Sequence, residues 1–248
     1  MPDNVDIATR LQEIIFRVRT AEKRFGRESG SVQILPVSKT RPPEDIAQVA
    51  RAGFTDFGES YLQEAQGKIA LLADTRVSNS SLQWHFIGPI QSNKTQPIAC
   101  LFHWVHSVDR EKIARRLNEQ RPDNLPPLNI CLQVNISGEK SKSGVQPSEL
   151  FVLALSVVKF PRLRLRGLMA IPESGTGFDK QREAFKAVHE IFDSLNTKLC
   201  DAGVKMDTLS MGMSNDMEAA IAEGSTLVRI GTDIFGPRNT SVTHTTTE

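Results

Sequence analysis

Val32-Gln33-Ile34-Leu35-Pro36-Val37-Ser38-Lys39 is a short apolar run that closes on a lysine, and the pattern of an amphipathic helix follows it almost at once. That order reads as a buried strand leading into a helix, the first unit of a βα repeat. A lysine at the carboxyl end of an early strand in such a repeat is placed to act as a Schiff-base former. Most strand-end lysines are simply solvated, so Lys39 needs company elsewhere in the chain.

Outward from this stretch the same unit recurs. Strand-like and helix-like segments alternate at 34–38 and 44–52, 55–58 and 62–72, 85–88 and 93–101, and 104–108 and 111–118. The series continues at 129–136 and 148–159, 164–170 and 182–200, and 208–211 and 216–222, with an eighth strand at 227–230. Eight strands with helices between them predict an α/β fold, a closed (β/α)8 TIM barrel, in preference to an open doubly wound sheet. Ahead of it, Ile7, Leu11, Ile14, Ile15, Val18 and Phe25 recur at three- and four-residue spacing, which adds an extra N-terminal helix ending near Gly26.

The 248 residues suit one such barrel. The proline-rich piece 121–127 is too short for a domain linker, so 1–238 is read as one domain and the polar, threonine-rich 239–248 as a frayed tail. Thirty basic residues against 29 acidic ones leave a formal charge of +1, so no global field points to nucleic acid or an anionic membrane. No stretch approaches the roughly 18 apolar residues of a membrane span, and the amino terminus lacks the basic and apolar regions of a secretion signal. Cys100, Cys131 and Cys200 are odd in number and set in apolar context, which predicts reduced, mostly buried thiols and a cytoplasmic location.

The chemistry concentrates after the last two strands, where closed barrels commonly bind phosphate. Met211-Gly212-Met213-Ser214-Asn215-Asp216 leads into a helix and offers backbone N–H groups to an anion. An ordinary helix start capped by Ser214 or Asn215 is the plainer reading of that segment alone. After strand eight, Arg229-Ile230-Gly231-Thr232 brings a bare backbone at Gly231 and a hydroxyl at Thr232 beside the first loop, which strengthens the anion reading. Arg229, two residues before Gly231, projects to the same side, into the barrel mouth. A buried arginine needs an acceptor, and Glu59 or Asp233 could supply one instead of a ligand. Lysine, arginine and phosphate cradle together are the parts needed to hold pyridoxal 5'-phosphate (PLP).

Six segments carry a family resemblance: Pro36-Val37-Ser38-Lys39-Thr40, Phe57-Gly58-Glu59-Ser60-Tyr61, the run Trp84 to Lys94, Leu165-Arg166-Gly167-Leu168-Met169, Met211-Gly212-Met213-Ser214 and Arg229-Ile230-Gly231-Thr232. The chain resembles the YggS/PROSC family of pyridoxal phosphate homeostasis proteins, from Ile34 to Arg238. The resemblance implies a single barrel like the amino-terminal domain of alanine racemase, the fold type III of PLP proteins. It implies that Lys39 forms the internal aldimine, that Ser214, Gly231 and Thr232 bind phosphate, and that Arg229 meets the pyridine nitrogen. Two departures stand out: Ser60, where the family has Asn, and Asp233, where a small apolar residue is usual.

Other polar residues carry less. His85, His103 and His106 lack the spacing of a zinc site, so no metal is expected, and His85 is read as structural. Lys140 and Lys142 read as a solvated loop or a basic rim, and the Gly-Glu-Lys-Ser run there lacks P-loop spacing.

Racemases of this barrel type use a second acid-base group, a tyrosine from an added β-domain. Tyr61 is the single tyrosine here, and the chain ends just past strand eight. A cation facing the pyridine nitrogen also weakens the ring as an electron sink. The sequence therefore predicts a non-catalytic, monomeric PLP holder in vitamin B6 and amino-acid homeostasis, with PLP-dependent apoenzymes as recipients. A PLP-dependent racemase or decarboxylase is the rival, and a phosphosugar barrel enzyme using Lys39 as an aldolase-type nucleophile is a second.

Overall fold

A computed structural model describes residues 6–77, 80–138, 143–173, 175 and 177–237. Lys140, Lys142 and the tail lie outside the described residues. Eight parallel strands form the sheet: β1 (Gln33–Pro36), β2 (Asp56–Glu59), β3 (Gln83–Phe86), β4 (Trp104–Val108), β5 (Leu128–Val134), β6 (Leu163–Ala170), β7 (Thr208–Ser210) and β8 (Leu227–Ile230). They neighbour one another in chain order, and β8 pairs β1 through Leu35 opposite Arg229 and Pro36 opposite Ile230. The seam between β1 and β2 closes at a single bridge, Val37 with Gly58, backed by Ser38 N donating to Gly58 O at 2.9 Å. Parallel strands need crossovers, and those found here are helical: α2 (Pro43–Arg51), α3 (Leu62–Leu71), α4 (Thr95–Leu101), α5 (Glu111–Gln120), α6 (Leu150–Val157), α7 (Phe178–Leu199) and α8 (Met217–Ala222).

The extra helix α1 (Ile7–Arg24) forms as its periodicity predicts, burying Leu11, Ile14, Val18 and Ala21. It docks beside α8 and the short α9 (Thr232–Phe235), which places Arg17 Nη1 2.9 Å from Asp233 and Nη2 3.2 Å from Glu218. Asp233 is thus paired with a cation from α1. A two-stranded ribbon, Arg76–Val77 with Ser80–Ser81, and α9 were not expected.

Two register shifts matter for the interior. Between Val105 and Val108, β4 carries one residue more than β5, and between Leu165 and Gly167, β6 carries one more than β5. Bulges of this kind bend a strand and re-aim its side chains. The first of them spans His106 and Ser107, and both are buried.

The thiols correct one expectation. All three cysteines are free, but Cys100 and Cys200 are exposed and Cys131 alone is buried. Cys131 sits on β5, where apolar runs face the core on both sides, and burial pushes its thiol up to about 12.

Candidate cofactor site

Lys39 stands just past the Val37 bridge, half-buried, where the chain leaves β1 for α2. Its neighbour Thr40 has φ 63°, the left-handed region that a β-branched residue adopts only under constraint. That constraint is visible: Thr40 N donates to Glu64 Oε1 at 2.5 Å. On the other side of Lys39, Lys68 Nζ donates to Ser38 O at 2.7 Å and to Glu59 Oε1 at 2.8 Å, and also reaches Glu64. Ser38 Oγ donates to the same Glu59 oxygen at 2.7 Å. Burial pushes the Glu59 carboxyl up, and Lys68 and Ser38 hold it back. The lysine's backbone is therefore gripped from both sides by one buried ionic cluster.

Val37 N donates to Ile230 O at 2.8 Å, which brings the end of β8 alongside the end of β1. One small cavity of about 30 Å³ is lined by Val37, Lys39, Thr40, Arg41, Gly231 and Thr232. A Cβ added at Gly231 would stand 3.4 Å from Val37 O, so the glycine leaves the wall of this cavity open to a close approach. Lys39, Gly231 and Thr232, predicted from opposite ends of the sequence, line the same space. Arg41 joins them without having been foreseen; its guanidinium donates to Gly236 O and Pro237 O and lies 6.0 Å from the Phe235 ring centroid.

Ser214 lies one loop away and does not line that cavity; its carbonyl accepts from Arg17 Nη2 at 3.3 Å. The loop is folded by Asp216, whose carboxylate accepts from Met213 N at 2.5 Å and whose residue is the N-cap of α8. The expected cap at Ser214 or Asn215 is thereby corrected: the α8 start falls at Met217, so the cap is Asp216. At six residues α8 has a short dipole, so an anion here depends on backbone N–H groups and hydroxyls more than on the macrodipole.

Arg229 is buried beneath the mouth, 4% exposed. Nη1 donates to Ser210 O at 2.6 Å and Ser210 Oγ at 2.9 Å, and Nη2 donates to Ala170 O at 3.0 Å. Desolvation brings its pKa down to about 10, with Asp216 opposing, so it remains a cation at neutral pH. The alternative pairing with Glu59 or Asp233 is not adopted: Glu59 is held by Lys68, and Asp233 by Arg17. Three hydrogen bonds on a five-donor guanidinium leave capacity for a ligand acceptor.

Sequence reasoning missed what lies under Arg229. His85 Nε2 meets Asp56 Oδ1 at 2.9 Å, His85 Nδ1 meets His106 Nε2 at 3.0 Å, and His106 Nδ1 meets Ser210 Oγ at 2.8 Å. The acid that meets the histidines, Asp56, stands on the neighbouring strand β2. His85 is the third residue of β3 rather than its first, because the strand starts at Gln83.

A racemase-type barrel is what this fold and site define: eight parallel strands, a lysine just beyond the first, and a glycine-bearing loop after the last that lines the same cavity. A family model described as "Alanine racemase, N-terminal domain" matches residues 10–239. Over 94% of its length the chain is 55% identical to the pyridoxal phosphate homeostasis protein of Pseudomonas aeruginosa PAO1, covering 96% of that protein. Its counterpart in Escherichia coli K12 is 49% identical over 95% of the chain and 98% of that protein. The PLP-bound structure of PipY from Synechococcus elongatus superposes with a TM-score of 0.80 at 32% identity, covering 93% of this chain and all of PipY. The chain belongs to the pyridoxal phosphate homeostasis protein family. Alanine racemase from Clostridium difficile shares the fold, with a TM-score of 0.63 at 16% identity over 56% of that enzyme.

Proposed function

We propose that this protein binds PLP covalently at Lys39 and serves to hold and deliver the cofactor in vitamin B6 and amino-acid homeostasis. The observation that carries the reading is the single cavity shared by Lys39, Gly231 and Thr232 above a buried, charged Arg229. Lys39 Nζ is the nucleophile toward the cofactor's aldehyde carbon, with loss of water. Gly231 N–H, Thr232 and, from the adjoining loop, Ser214 meet the phosphate, and Arg229 faces the ring nitrogen as a donor. When bound, PLP supplies an electrophilic carbon and an electron-withdrawing ring.

The residues favour holding over turnover. A guanidinium opposite the ring nitrogen opposes its protonation and weakens the electron sink. The single tyrosine, Tyr61, is 52% exposed at the start of α3, and no acid-base partner for substrate is grouped with Lys39 in the cavity wall. Recipients would be PLP-dependent apoenzymes. Three free thiols suit a reducing compartment such as the cytoplasm, and the reading expects a monomer. No helix among the described residues is long and apolar enough to cross a membrane.

Titration of PLP into the purified protein tests the proposal. A near-visible absorbance band should grow with saturation and be lost in Lys39→Ala. Absence of that band in the native protein with excess PLP overturns the reading. Sustained α-proton exchange of amino acids in deuterated buffer, abolished by Lys39→Ala, would establish the enzyme reading instead.

A further inference from the structure

The polar chain beneath Arg229 crosses the barrel through side chains or carbonyls on β2, β3, β4, β6, β7 and β8, running from Asp56 at the start of β2 to Arg229 near the mouth. Its direction is determined by chemistry. An ionised Asp56 accepts only, so His85 Nε2 carries the proton and His85 Nδ1 is left as an acceptor. His106 Nε2–H must then donate to His85, which leaves His106 Nδ1 as an acceptor for the Ser210 hydroxyl. Ser210 Oγ, its own proton spent on His106, accepts from Arg229 Nη1. Every bond has one donor and one acceptor, and none of these side chains is among the buried groups left without a partner.

We propose that Asp56, His85, His106 and Ser210 act as a positioning relay of fixed polarity for Arg229, so that the barrel floor determines how the guanidinium is presented to the ring-nitrogen side of the cofactor. The inference rests on Arg229 facing that ring. Its physical basis is that a fully satisfied polar network in a low-dielectric interior specifies one arrangement, whereas a gap in it is costly. The bulge in β4 supplies His106, and the Trp104 ring stacks on His85 at 5.3 Å between centroids, holding that imidazole in plane. The ionisation states agree with this polarity. Hydrogen bonds donated by His85 and Thr55 hold Asp56 below the usual carboxylate range despite burial, and burial takes His85 below, and His106 well below, the ordinary histidine range. Asp56 is thus an anion and both rings are neutral at pH 7.

Asp56→Asn tests the relay with little change of shape, because the amide can face His85 with either a donor or an acceptor and so unlocks the tautomer. In the unliganded protein, long-range proton–nitrogen-15 spectra should show His85 and His106 as neutral Nε2–H tautomers. In Asp56→Asn the His106 signals should turn to a tautomer mixture, although Asp56 does not touch His106. With PLP added, Asp56→Asn and Ser210→Ala should weaken binding roughly ten-fold, the scale of one lost hydrogen bond to a charged group, and shift the bound-cofactor absorbance maximum. Asp123→Asn, which loosens the exposed Arg162–Asp123 pair away from the chain and from Trp104, should move neither readout. A His106 tautomer unchanged in Asp56→Asn, or PLP affinity and spectrum identical to native in both variants, overturns the relay and leaves the cofactor assignment standing. A native protein that fails to bind PLP overturns the cofactor assignment, and the relay's role with it. Lowered thermal stability alone, with both other readouts unmoved, also overturns it, since a merely structural chain would behave so.

Discussion

Replacing Lys68 by methionine removes the cation from a cluster that has almost no access to water. Lys68 is 5% exposed and Glu59 is fully buried, with one carboxylate oxygen shared by Lys68 and Ser38 and the other without a partner. Breaking a buried pair from one side costs about 3–5 kcal/mol, because the surviving charge is stranded. Glu59 can escape part of that cost by taking a proton, so a value near the lower end, about 3 kcal/mol at pH 7, is expected. For a chain of this size that is a fall of about 6–12 °C in Tm. The pH dependence has a definite sign. With its carboxyl pushed above the unfolded value, Glu59 penalises the folded state increasingly as pH rises, so the deficit should shrink on going from pH 7.5 to pH 5. Adding Glu59→Gln should return much of the loss, giving a coupling of at least about 1.5 kcal/mol in a double-mutant cycle. Denaturant unfolding of the four proteins measures it, and PLP titration of Lys68→Met should show weaker loading, since Lys68 also holds the carbonyl before Lys39. A Lys68→Met stability within about 0.5 kcal/mol of native, or strict additivity in the cycle, would refute the reasoning.

Acid should destabilise the native protein before its carboxylates titrate. Burial holds His103 down to about 4, so protons bind the unfolded chain first and stability is lost as pH falls from about 6.5; between pH 6.5 and 5 this histidine alone accounts for about 1.5 kcal/mol, measurable as a falling Tm. Gly167→Ala should fail to accumulate as folded protein, because its Cβ would lie 1.7 Å from the backbone oxygen of Thr208, which cannot move aside at the β6 bulge; a native-like circular dichroism melt would contradict this. Gly231→Leu should fold with a Tm within a few degrees of native while PLP affinity drops more than about ten-fold, since the side chain fills the Lys39 cavity; unchanged affinity in an equilibrium titration would argue against that cavity as the site.

The barrel was legible because its cue is repetitive. The strands predicted at 104–108 and 227–230 match β4 and β8 residue for residue, and the others shift at their ends by no more than two residues. Lys39, Gly231 and Thr232 were legible for a related reason: barrel closure brings the first and last strands together, so residues remote in sequence become neighbours by topology alone. The relay was not. Ser210 and His106 are 104 residues apart, and the β4 bulge breaks the alternation that would have marked His106 as inward. Glu59 was read as an alternative acceptor for Arg229; its actual partner Lys68, on α3, carries no distinguishing signal in the sequence and is enclosed only by packing. Arg41 had one available signal, its place two residues after Lys39 in the same turn. Cysteine exposure was misjudged because apolar neighbours on a helix, as around Cys100, do not say which face points outward.

Borohydride reduction of the PLP-loaded protein followed by peptide mass spectrometry tests the central claim most directly. The account predicts one phosphopyridoxyl adduct, on Lys39, and none there in Lys39→Ala. An adduct confined to another lysine, or no adduct on a protein shown to have bound PLP, would contradict it.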